Sequence, residues 1–167
     1  MKKSIIALFL AGSTLSFAMD GYVRLGAITN GNSYNSQEKK FESYAPTMSF
    51  ELTQSLLLAD VGVGIAYNGK TSGSDMATVP AYGLVKMNLF PVGVKPYIVG
   101  KLGKVLYTHD SISGSNPDGK YFYGAGIGME ILSLQAEALY SITKVDGDRR
   151  GNDDLKQVSL TLGYKFF

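Results

Sequence analysis

The amino-acid sequence predicts an all-β fold, an eight-stranded antiparallel up-and-down transmembrane β-barrel. Three observations predict it. Apolar residues recur at every second position through eight segments, which is the strand period. Short and long connections alternate between those segments. The chain opens on an export leader.

The leader comes first. Lys2 and Lys3 form a positive start, and an apolar run follows from Ile5 to Leu15. Ser16-Phe17-Ala18 then places small residues where a signal peptidase reads them. Residues 1–18 are therefore expected to be a signal peptide cleaved before Met19, and 19–167 the barrel domain. The apolar run falls short of the roughly 20 residues that an anchoring helix needs. No second long apolar run follows, so the chain offers no transmembrane helix.

The eight segments come in order. In Tyr22–Ile28, Val23, Leu25 and Ala27 oppose Tyr22, Arg24 and Gly26. Tyr44–Thr53 sets Tyr44, Pro46, Met48, Phe50 and Leu52 against Ala45, Thr47, Ser49, Glu51 and Thr53. Leu57–Tyr67 sets Val61, Val63 and Ile65 against Asp60, Gly62 and Gly64. In Val79–Phe90, Val85, Met87 and Leu89 oppose Lys86 and Asn88, and the first half has no clear phase. Lys95–Tyr107 sets Ile98, Gly100, Leu102 and Leu106 against Lys101, Gly103 and Val105. Tyr121–Ile131 sets Tyr123, Ala125, Ile127 and Met129 against three glycines and Glu130. Leu134–Ile142 sets Ala136, Ala138 and Tyr140 against Gln135, Glu137 and Ser141. Gln157–Phe166 sets Val158, Leu160, Leu162, Tyr164 and Phe166 against Gln157, Ser159, Thr161, Gly163 and Lys165. Most of these lengths suit a tilted membrane strand of about 9–11 residues.

Three connections are short, near 53–55, 91–93 and 132–133. Four are long and rich in Gly, Asn, Ser and Asp, near 30–43, 68–76, 108–120 and 144–155. That alternation puts the tight turns and both termini on the periplasmic side and the long loops outside. In lipid no strand edge can be left unpaired, so the sheet must close. The apolar faces end in Tyr44, Tyr67, Tyr107, Tyr123 and Tyr140 at one level and Phe90, Tyr164 and Phe166 at the other, as two aromatic girdles. The girdles and the leader favour an apolar face turned to lipid over a soluble, lipocalin-like barrel.

Composition excludes other classes. Cysteine is absent, which removes disulfides, thiol catalysis and N-terminal lipidation. Losing the leader takes two of 16 basic residues and none of 14 acidic ones, so 14 of each remain. A formally neutral chain gives no reason to expect nucleic acid.

Lys95-Pro96-Tyr97, the run Tyr123-Gly124-Ala125-Gly126-Ile127-Gly128-Met129-Glu130 and the terminal Val158–Phe166 carry a resemblance. The chain resembles the small outer-membrane β-barrel family that includes the OmpA membrane domain, OmpX and the opacity-type proteins. The resemblance covers essentially the whole mature chain. It implies outer-membrane location and contact with outer-membrane lipid and lipopolysaccharide. It also implies a monomer and a terminal strand, with Tyr164, Phe166 and Phe167 as assembly signal, read by the barrel-assembly machinery. Phe167 departs from the pattern by adding one residue out of phase. No periplasmic domain is expected to follow.

Chemical motifs are sparse. His109-Asp110-Ser111 places a base near a nucleophile. It echoes the His-x-Ser pair of lipid A deacylases, but Tyr123 stands where their following acid would be. A polar loop residue is the simpler account of His109 and Ser111. Gly124–Gly128 suggests a nucleotide loop only superficially, since no helix follows it. Asp146, Asp148, Asp153 and Asp154 match no ion-binding loop. Arg149 and Arg150 beside them suit lipopolysaccharide phosphates. Neither a cofactor nor a metal is expected. The inward face carries Arg24, Lys86, Lys101 and Lys165 against Glu51, Asp60, Glu130 and Glu137. Buried charges persist only when paired, so these eight are expected to form one ion-pair layer. The fold and this layer point to a non-catalytic surface protein whose loops meet envelope components or a host surface. A narrow or gated porin-like channel and a lipid A-modifying enzyme are the alternatives.

Overall fold

The computed structural model describes residues 19–30, 44–56, 59–70, 76–90, 93–110, 118–147 and 151–166. The leader, its cleavage point, Ser111 and Phe167 lie outside the described residues. Eight strands follow in chain order: β1 Met19–Asn30, β2 Tyr44–Leu56, β3 Ala59–Asn68, β4 Met76–Asn88, β5 Lys95–Asp110, β6 Asp118–Ile131, β7 Leu134–Gly147 and β8 Gly151–Lys165. Each pairs antiparallel with the next, and β1 pairs with β8 from Tyr22 opposite Lys165 to Asn30 opposite Gln157. The sheet therefore has no edge.

Alternation sorts the side chains by solvent. Leu162 is 70 % exposed on the outer wall and Glu51 is 1 % exposed in the lumen. Val63, Leu102, Ile127 and Leu160 share the outer face with Leu162. A barrel that is apolar outside and charged inside is built for lipid. Tyr44, Tyr67 and Tyr107 project outward toward one rim and Phe90, Tyr164 and Phe166 toward the other, while Tyr140 is outward nearer mid-wall, opposite Ala125, and Tyr123 is half-buried.

The strands run longer than the alternation suggests, chiefly toward the rim of the long connections. β7 and β8 stay paired up to Gly147 opposite Gly151, so the connection expected over 144–155 shrinks to 148–150. Above the apolar band, polar residues can pair as strands without alternating, which removes the period from the sequence. The first half of β4 has a physical reason for its unclear phase. The β4–β5 register shifts between Val79 and Pro80, where Pro80 has no N–H to donate. At the other rim, Leu132 turns the β6–β7 hairpin with φ 56°.

The lumen also has an apolar part. Tyr82, Leu84, Tyr97, Val99, Val105, Phe122 and Leu139 form one buried apolar cluster on the β4–β7 side. Glycines opposite make room for its rings. Gly128 stands opposite Tyr97, and a Cβ built there would run into the Tyr97 ring. Gly64 likewise faces Tyr82.

Two outcomes follow from this geometry. Val63→Lys or Ile127→Lys should cost about 2–4 kcal/mol near mid-bilayer, measured by denaturant unfolding in lipid vesicles. Gly128→Ala should cost about 1–3 kcal/mol by overpacking against Tyr97. Gly100→Ala should be nearly neutral, because nothing lies within 4 Å of its outward Cβ position. Equal costs at the two glycines would contradict the packing.

Candidate functional site

The inward positions of β1, β2, β5 and β7 converge at one level of the lumen. Lys101 Nζ of β5 lies 2.7 Å from Glu51 Oε1 of β2 and 2.7 Å from Glu137 Oε1 of β7. Neither partner strand is a neighbour of β5 in the sheet, so this ammonium bridges the lumen. Arg24 of β1 closes the group. Its Nε donates to Glu51 Oε2 at 2.9 Å, and its Nη1 lies 3.4 Å from Glu137 Oε2. Arg24 also donates to the Tyr97 hydroxyl at 3.3 Å and to Gln135 Oε1. The Tyr82 hydroxyl donates to Glu51 at 2.8 Å, and that of Tyr97 to Glu137 at 3.2 Å. Two cations and two carboxylates are thus balanced, and each side chain is 3 % exposed or less.

A second group lies nearer the periplasmic rim. Lys86 Nζ is 3.0 Å from Asp60 Oδ2 and 3.4 Å from Glu130 Oε2. It also sits 4.9 Å from the Tyr22 ring centre and 5.2 Å from that of Tyr97, within reach of the ring quadrupoles. Ser55 and Asn88 donate to Asp60 at 2.7 and 3.1 Å. Lys95 reaches Glu130 from the rim at 3.9 Å. Gln135 couples the two groups by accepting from Arg24 and donating to Glu130.

The lumen thus brings together Arg24, Glu51, Asp60, Lys86, Lys101, Glu130 and Glu137. Lys165 stands apart. It pairs with Asp20 at 2.8 Å, with its side chain 30 % exposed, because it is the last residue of β8 and opens onto the periplasmic rim. Tyr22, Tyr82, Tyr97 and Gln135 belong to the cluster although no charge marks them. The available signal was their phase, since each alternates with the inward charges on its own or a neighbouring strand.

Desolvating seven ionisable groups is costly, and attraction offsets that cost only where the remaining hydrogen-bonding sites are also satisfied. Two or more contacts per charge meet that condition here. The space left beside Arg24, Tyr82, Lys101, Phe122 and Glu137 is about 30 Å³, room for a water or two.

The other marked residues lie elsewhere. Tyr164 faces lipid, opposite Val23 and Leu134. Phe166 stacks at 5.9 Å on Phe50, and its N–H donates to Gly21 O at 3.0 Å. His109 is opposite Ala77 near the top of β5, and its side chain lies outside the described residues. Gly124–Gly128 lies inside strand β6, which rules out a helix-start phosphate loop. Among the described residues no group of three His, Asp or Glu could hold a metal ion.

With this geometry in view, comparison with solved structures identifies the architecture. Neisserial surface protein A superposes with a TM-score of 0.65, at 12 % identity over 88 % of this chain and 95 % of that one. Ail, the attachment invasion locus protein of Yersinia pestis, superposes with a TM-score of 0.53, at 12 % identity over 88 % of this chain and 98 % of the other. The fold is that of the small outer-membrane β-barrels. No protein-family model matches the chain, and no curated protein matches it in sequence.

Removing one member of the balanced group should leave a buried charge alone. Glu51→Ala should destabilise by about 3–5 kcal/mol, and adding Lys101→Met should recover part of that loss. Equilibrium unfolding of the two single variants and the double in detergent or vesicles measures this. Strictly additive losses would rule out the coupling.

Proposed function

We propose that this chain is a non-catalytic integral protein of the outer membrane. In this reading a sealed barrel holds the outer loops for contact with envelope components or a host surface. The observation that carries the reading is the bridged charge group of Arg24, Glu51, Lys101 and Glu137, which fills the lumen from wall to wall. An eight-stranded lumen has room for side chains and little else. Rigid walls with irregular outer connections suit a platform for recognition. The inverted surface and the fold shared with two outer-membrane barrels support the location. A leader over residues 1–18, cleaved before Met19, and a β8 terminus read by the assembly machinery complete the proposal.

The sealed reading separates cleanly from a channel. In planar bilayers the wild-type protein should show conductance near zero, and Glu51→Ala should raise it only modestly. A steady, ion-selective wild-type conductance would replace the platform with a pore. His109→Ala should leave the lipid A mass spectrum of the host unchanged.

A further inference from the structure

The turns at the periplasmic end carry a feature that neither the sealed lumen nor the outer loops account for. Leu56 ends β2, Leu89, Phe90 and Val94 flank the β4–β5 turn, and Leu132 and Leu134 belong to the β6–β7 turn, all of them exposed. Residues 54–59, 89–94 and 131–134 include no charged side chain, whereas 31–43 and 148–150 at the other end include several. The charges that border these turns are paired at the lumen mouth, Asp60 with Lys86, Glu130 with Lys95 and Lys165 with Asp20. The underside of the barrel is thus an exposed apolar face, and such a face marks a contact.

Leu132 is the extreme case. It is 89 % exposed, and its φ of 56° is left-handed. A two-residue hairpin turn that needs positive φ at its first central position ordinarily takes glycine there. The β4–β5 turn uses that solution, with Gly93 at φ 78°. A leucine in this conformation is strained, and it offers water no polar group. At such exposure almost nothing within the chain repays either cost.

The height of the wall says where these turns lie. Counting up from the turns, the outward faces of β5, β7 and β8 first meet a charge at Lys104, Lys144 and Lys156. Ten residues below them along the chain stand Val94, Leu134 and Phe166. At about 3.3 Å per residue and a tilt near 40°, ten residues rise about 25 Å, the full height of an apolar band. The band therefore runs down to the turns themselves, with no polar skirt beneath it. Leu132 lies two residues beyond Leu134, within the roughly 5–10 Å over which interfacial segments bury apolar groups.

We propose that the periplasmic turns are inserted into the inner leaflet of the outer membrane, with Phe90 and Leu132 among the glycerol and upper acyl groups of its phospholipids. Lipid is the occupant because this face continues the lipid-facing wall without a break. Leu134 is opposite Tyr164, and Phe166 stacks on Phe50 just above the turns. An uncharged face requires no anionic headgroup, so zwitterionic phospholipid is enough to cover it. The barrel is seated by its underside as well as by its wall, and its turns offer no landing place to periplasmic proteins. The inference rests on the outer-membrane location and adds the depth at which the chain sits there.

The chain has no cysteine, so single nitroxide labels report without background. Leu132→Cys and Phe90→Cys probe the turns, Leu102→Cys the wall and Lys70→Cys the outer end. Each is labelled, folded into phosphatidylcholine vesicles with or without phosphatidylglycerol, and exposed to a water-soluble nickel chelate. Labels at 132 and 90 should meet the chelate about tenfold less often than the label at 70, equally in both lipids. Val94→Cys repeats the measurement should a label at 132 prevent folding. The label at 102 tests the membrane location separately, since it is shielded by lipid wherever the turns lie. Chelate access at 132 and 90 equal to that at 70, with 102 still shielded, would overturn the proposal. So would shielding that requires phosphatidylglycerol. Shielding in native envelopes but not in pure lipid would overturn it as well, and would assign the face to a periplasmic protein.

Discussion

The Lys101 ammonium between Glu51 and Glu137 is the contact on which the rest of the interior depends. It joins strands that the sheet does not, so it holds opposite walls at a fixed distance. Arg24 needs the same two carboxylates, and both oxygens of Glu51 and of Glu137 are engaged by the two cations together. Removing any one charge would strand another in a space that lacks the water to solvate it. The tyrosines follow from this requirement. Tyr82 and Tyr97 supply hydroxyls to the carboxylates, and Gly64 and Gly128 are small so that their rings fit.

The interior and the exterior both vary around the barrel. Large apolar groups fill the lumen on the β4–β7 side, whereas Arg24, Thr47, Glu51 and Asn68 line much of the opposite wall. On β4–β6, Gly83, Gly100 and Ala125 interrupt an outward face that otherwise carries Val85, Met87, Ile98, Leu102 and Ile127. The β1–β3 surface bears Leu25, Phe50, Val63 and Ile65.

Much of this was legible in the sequence, because a period of two is forced wherever one face meets lipid and the other does not. The inward and outward sets of β1, β2, β3, β5 and β8 follow from alternation alone. The cross-strand pairs Arg24–Glu51 and Lys86–Asp60 lie on adjacent strands, and strand order places them near each other. The contacts across the lumen are different. That Lys101 meets Glu51 and Glu137 depends on the stagger of non-neighbouring strands, which no local pattern encodes. Lys165 shows the converse: correct in phase, it sits one strand end too low to enter the layer. Tyr97 and Gln135 carry no formal charge, so their part in the network becomes visible only when the strands close. The strand extensions of β7 and β8 lie above the apolar band, where polar pairing leaves no period to read.

The central claim is that one ammonium ties two carboxylates across the lumen. Solid-state NMR on protein in lipid bilayers, with lysine side-chain nitrogen and glutamate carboxyl carbon labelled, measures it directly. Dipolar couplings from Lys101 Nζ to the carboxyl carbons of both Glu51 and Glu137 are the predicted result, and they should vanish together in Lys101→Met. A Lys101 nitrogen coupled to neither carboxylate and exchanging freely with water would contradict the account.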